Sequence, residues 1–168
     1  MLGIDTAPLP TGLHEMTLTP SAEDVELDPE IFSDLAVEVR LDHEDERDLI
    51  AFTARATATL ECDRTLELFD QTVSGSFAVL FVLPEHLDRY TTDDDDTGEG
   101  VRPLPEPGAP LDITEPVRDT LLLALPTRRV APGAEDEELQ VQYGVLTDGD
   151  GDPIDPRWEA LKKLRDNQ

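Results

Sequence analysis

Alternating apolar positions in the first half of the chain and one helical repeat in the second predict an α+β fold. The expected architecture is an antiparallel, partly barrel-like sheet covered by one central helix, with a short C-terminal helix. Three observations carry this. Ile50, Phe52, Ala54, Ala56, Ala58, Leu60 and Cys62 alternate with polar or small neighbours, the period-2 signature of a half-buried strand. A second alternating run, through Gly75 to Phe77, Val79, Phe81 and Leu83, follows after a short polar turn, as in a meander. Later, Ile113, Val117, Leu121, Ala124 and Leu125 recur at the spacing of one helix face.

The first strand is expected from Gly12, where His14, Met16 and Leu18 alternate with Glu15, Thr17 and Thr19. Acidic turn-like sequence follows to Pro29, and alternation returns at Val37, Val39 and Leu41 before a polar break over Asp42 to Asp48. Pro84 stops the run that ends at Leu83, because proline cannot donate to a ladder. Residues 92–110 hold four consecutive aspartates and several glycines and prolines, a composition read as a disordered acidic loop. Asp112-Ile113-Thr114-Glu115 reads as a capping box, with Asp112 accepting from the Glu115 N–H, and Pro126 stops the helix. Glu138 to Leu146 alternates again and reads as a late strand. The terminal helix begins with Asp155 as N-cap and Pro156 at the first helical position, with Trp158 and Leu161 on one side. One domain over 1–168 accommodates all of this.

Charge is the compositional outlier: 39 acidic residues against 13 basic ones give −26, and the only lysines are Lys162 and Lys163. Leu, Ile, Val and Phe still total 45 of 168 residues, above the roughly 20% below which a chain cannot bury enough to fold. The acid therefore belongs on the surface of a folded body, where self-repulsion is relieved by screening salt. Scarce lysine with abundant acid suits a salt-rich cytoplasm; the alternative is an acidic docking surface for a basic partner. The first cation is Arg40 and the apolar runs are short, so neither a secretory leader nor a membrane span is expected, and the protein is expected to be cytoplasmic.

Candidate catalytic and metal sites fail on their spacing. Asp148, Asp150, Asp152 and Glu159 match positions of a calcium loop, but Pro153 stands where glycine must turn sharply. Cys62 has Thr65 three residues on and scattered histidines (His14, His43, His86) elsewhere, which is no zinc pattern. No enzymatic activity, cofactor or metal is expected. Arg128-Arg129 and the Lys162, Lys163 and Arg165 cluster are either phosphate-contacting patches or helix-end and acid-paired cations.

Three blocks, Cys62-Asp63-Arg64-Thr65-Leu66-Glu67, Leu121-Leu122-Leu123-Ala124-Leu125-Pro126 and Asp155-Pro156-Arg157-Trp158 with Leu161 and Leu164, together resemble the YceD family, the large ribosomal RNA subunit accumulation proteins. The family commonly has a second cysteine where Thr65 stands, so a metal role for that block is not implied here. The resemblance implies a non-enzymatic factor for 23S rRNA accumulation and large ribosomal subunit synthesis. Its partner would be the pre-ribosomal large subunit, 23S rRNA or a basic large-subunit ribosomal protein, with an acidic binding protein or chaperone for such a protein as the alternative. The expected contacts are Arg64, Arg128, Arg129, Arg157 and Trp158, arginines and an aromatic in or beside the matching blocks; for Trp158 the favoured reading is an anchor of the terminal helix.

Overall fold

A computed structural model of the chain describes residues 1–90 and 100–134, all within one compact unit, Met1–Asp136. The expected single domain extends past these, and the predicted late strand, the calcium-loop-like aspartates and the terminal helix lie outside the described residues.

Four strands form the meander: β2 (Gly12–Leu18), β3 (Phe32–His43), β4 (Arg47–Glu61) and β5 (Leu68–Val82), after a two-residue β1 (Gly3–Ile4). They pair antiparallel in sequence order, with Met16 opposite Val39, Val39 opposite Phe52, and Phe52 opposite Phe77. Strand β4 is central, and its even-numbered positions from Asp48 to Leu60 are all buried, because the pleat sends alternate side chains to one face. Val37, Val39 and Leu41 of β3 and Val73, Val79 and Phe81 of β5 join them in one core.

Two features differ from the expected antiparallel, partly barrel-like sheet. Strand β6 (Val101–Pro103) runs parallel to β5, pairing Leu80 with Val101, so the five-stranded sheet is mixed. It also falls inside the stretch 92–110 expected to be disordered, narrowing that loop: Val101 pairs with β5, and the Leu104 N–H donates to the Val82 carbonyl at 2.7 Å. Among the described residues the sheet does not close either, since β2 and β6 are its opposite edges. Its apolar face is covered instead by helix α1 (Thr114–Leu123) and by the pairing of β1 with β7 (Leu111–Asp112), which removes the need to curl the sheet on itself.

The predicted central helix is present, with Val117 and Leu121 fully buried against the sheet. Its start differs from the capping box. Asp112 Oδ1 accepts the Thr114 N–H at 2.9 Å, while the Glu115 carboxylate pairs with Arg102 of β6 at 2.7 Å. A cation on the neighbouring strand therefore competes successfully for the carboxylate that a capping box would direct at its own backbone.

The seat of α1 is made of small residues. Ala54 lies opposite Gly75 in the β4–β5 register, and a Cβ added at Gly75 would come within 2.7 Å of the Thr120 methyl. At the amino terminus, buried Leu2 and Ile4 dock beside the start of α1, with the Leu2 N–H donating to Thr114 Oγ1 at 2.7 Å.

Candidate binding surface

The loop joining β4 to β5 carries the Cys62 block, and the chain after α1 wraps against it. Within the loop, the Leu66 N–H donates to the Cys62 carbonyl and the Cys62 N–H to the Glu67 carbonyl, both at 2.9 Å. From the other segment, the Asp63 N–H donates to the Arg129 carbonyl at 2.7 Å. In return the Arg129 N–H donates to Asp63 Oδ2 at 2.8 Å. Arg64 Nη1 reaches the Ala134 carbonyl at 2.7 Å, and the Ala131 N–H points at Cys62 Sγ, 3.3 Å away.

Three of the five expected contact residues, Arg64, Arg128 and Arg129, thus belong to two segments that meet in one place. Arg157 and Trp158 lie outside the described residues. Arg64 is half-buried and engaged with the Ala134 carbonyl, a structural tie, whereas Arg128 and Arg129 are exposed. Three carboxylates share the loop with these cations: Glu61, Asp63 and Glu67 are all exposed. Three positive charges against three negative ones leave no net cationic patch to hold phosphates.

Cys62 is fully buried and carries no disulfide, as its place at the end of the β4 alternation predicts. What its place in the alternation does not reveal is the shell of donors around the sulfur. The Ala131 N–H, then the Thr65 hydroxyl and the Thr65 and Arg64 N–H groups, favour the thiolate and bring the pKa from 9.0 down to about 7, against the opposing effect of burial. Among the described residues, no group of three or more His, Cys, Asp or Glu side chains could hold a metal ion. No described helix is long and apolar enough to cross a membrane.

A shallow trough of about 840 Å³ lies over β2–β5. Val39 and Phe52, whose backbones lie beneath it, are each only 3% exposed, so their side chains point into the core and the trough occupies the opposite, solvent face. Its floor is small, with Ala51, Thr53, Ser76 and Ala78, flanked by Glu15, Glu38 and Arg40. The pleat places Phe32, Phe52, Phe77 and Phe81 on the inner side, and Phe69 packs on the core. Among the described residues, the solvent face of the sheet therefore offers no aromatic platform on which bases could stack.

A family model described as "Large ribosomal RNA subunit accumulation protein YceD" matches residues 50–165, from β4 through the Cys62 loop and α1 and onward. No curated protein and no solved structure matches the chain.

Proposed function

Because this chain belongs to the YceD family, the large ribosomal RNA subunit accumulation proteins, we propose that it is a non-enzymatic ribosome-biogenesis factor supporting 23S rRNA accumulation and large-subunit synthesis. Its contribution is binding. The trough over β2–β5 supports this, because an open, small-residue floor flanked by charges can seat a partner but cannot enclose a substrate away from water. The test is sedimentation with depletion. The protein travels with large-subunit precursors, and its removal lowers 23S relative to 16S rRNA. No association and an unchanged rRNA ratio overturn the reading.

Of the two partner classes, one observation favours a basic large-subunit ribosomal protein over naked rRNA. The cations that meet at the Cys62 loop are matched one for one by Glu61, Asp63 and Glu67 within a chain of net charge −26, a field that attracts polycations and repels nucleic acid. On this reading the protein acts as an acidic binding protein or chaperone, and the rRNA effect follows from delivery or protection of its partner. Complex formation in purified components then weakens as salt rises and needs no RNA.

A further inference from the structure

Helix α1 buries Val117 and Leu121 completely, yet leaves Leu122 44% and Leu123 86% exposed. An exposed leucine is ordinary by itself; its surroundings set Leu123 apart. Beside it a groove of about 240 Å³ runs between Thr120 and Leu123 of α1, with Ala124 just after it, and the stretch Ser74–Phe77 of β5. Phe77 contributes a ring that is itself 39% exposed. Along this stretch β5 pairs with β4 on one side. On its other edge, among the described residues, strand pairing is confined to Leu80–Val82. The groove thus combines apolar side chains with a strand edge that no other described strand covers, and backbone N–H and C=O groups on such an edge can extend a ladder.

We propose that this groove takes an extended, basic polypeptide segment, which adds to the Ser74–Phe77 edge of β5 as a further strand and lays an aliphatic side chain between Leu123 and Phe77. The inference rests on the reading above that the partner is a basic polypeptide, and it adds the place and the mode. Main-chain hydrogen bonds to an edge strand supply sequence-tolerant affinity, and a pocket for alternate side chains supplies selectivity. Charge selects the occupant. A chain of −26 draws in a cationic segment and disfavours both a nucleic acid and a second copy of itself. Locally, Asp70 of β5 is exposed, Glu115 and Asp119 of α1 are already paired with Arg102 and Arg118, and exposed Arg55 lies opposite Ser74, so the attraction is that of the chain's net charge. The nearest cation on that helix, Arg118, is held by Glu26 and Asp119 at 2.7 and 2.9 Å.

The experiment uses the full chain and a fluorescent peptide of alternating lysine and valine, read by anisotropy at low salt. Binding shifts the backbone amide resonances of Ser74–Phe77, and Leu123→Ser weakens it about tenfold without moving the far-ultraviolet circular dichroism or the melting midpoint. N-methylation of alternate peptide amides, which removes ladder donors, abolishes it. If the peptide binds but neither Leu123→Ser nor N-methylation matters, the groove is overturned while the basic-partner reading stands. If the peptide does not bind at all, both fall. Amide shifts in the groove on adding oligouridine would overturn the proposal in favour of nucleic acid. Concentration-dependent dimerisation lost in Leu123→Ser would overturn it in favour of self-pairing.

Discussion

Removing the ring of His43 strands a carboxylate in the core. Asp48 occupies an inward position of β4, two residues before Ile50, and is 2% exposed; His43 faces it across the β3–β4 turn, Nδ1 to Asp48 Oδ1 at 2.5 Å. With Asp48 ionised, His43 donates from Nδ1 and supplies the side-chain partner that a buried carboxylate requires. Breaking a fully buried pair costs roughly 3–5 kcal/mol. The His43 side chain is 20% exposed, so water can enter the space vacated by His43→Ala. The expected loss is therefore the smaller penalty of an acceptor deprived of its partner, about 1–3 kcal/mol. In a domain of this size that corresponds to a fall in Tm of roughly 2–4 °C per kcal/mol. Asp48→Ala removes the charge along with the need for a partner, so adding His43→Ala to it costs little more. Urea unfolding of the wild type, both single variants and the double variant measures the coupling directly, expected at about 1–2 kcal/mol. Additive single losses, or a His43→Ala variant as stable as the wild type, would refute the reasoning.

Two neighbouring leucines on α1 are expected to behave oppositely: Leu121→Ala, fully buried, loses about 2–5 kcal/mol, while Leu123→Ser stays within about 0.5 kcal/mol, both read from denaturant midpoints. Gly75→Ala forces its new methyl against the Thr120 methyl, 2.7 Å away, and loses about 1–3 kcal/mol; pairing it with Thr120→Ser, which deletes that methyl but keeps the hydroxyl bonded to the Pro116 carbonyl at 2.7 Å, restores most of the loss. A double variant no better than Gly75→Ala would place the strain elsewhere. Thiolate absorbance of Cys62 titrates near pH 7 in the folded chain and near 9.0 after unfolding. A depressed acid pKa stabilises the fold where the thiolate persists, so the Cys62 contribution is absent below pH 7, grows between 7 and 9, and disappears in Cys62→Ala.

The strands were legible because β4 obeys the pleat for its whole length, and the helix because Val117 and Leu121 fall on one face. The seat of that helix was present in the letters too, as Ala54, Ala56 and Ala58 facing inward with Gly75 across the register, a run of small residues that marks close approach. Asp48 escaped because a carboxylate in a polar stretch reads as turn until its partner is known, and that partner lies across the hairpin. Leu2 and Ile4 escaped because a two-residue strand has no period. The mixed, open sheet was illegible for a different reason: whether β6 lies parallel to β5, and whether edges close, depends on tertiary cover. The tie between the Cys62 loop and residues 129–134 is of the same kind: side chains of Cys62, Asp63 and Arg64 meet backbone groups about 70 positions away in sequence, a pairing that no local pattern announces. Arg64 is an expected contact, and its bond to the Ala134 carbonyl gives it an internal task that no motif announces.

Affinity capture of the full chain from cells, with and without RNase and read by mass spectrometry and RNA sequencing, tests most directly whether the partner is a basic polypeptide. The expected result is a basic large-subunit ribosomal protein retained after RNase and released by salt. Recovery of 23S rRNA fragments with every protein partner lost on RNase treatment would contradict the account.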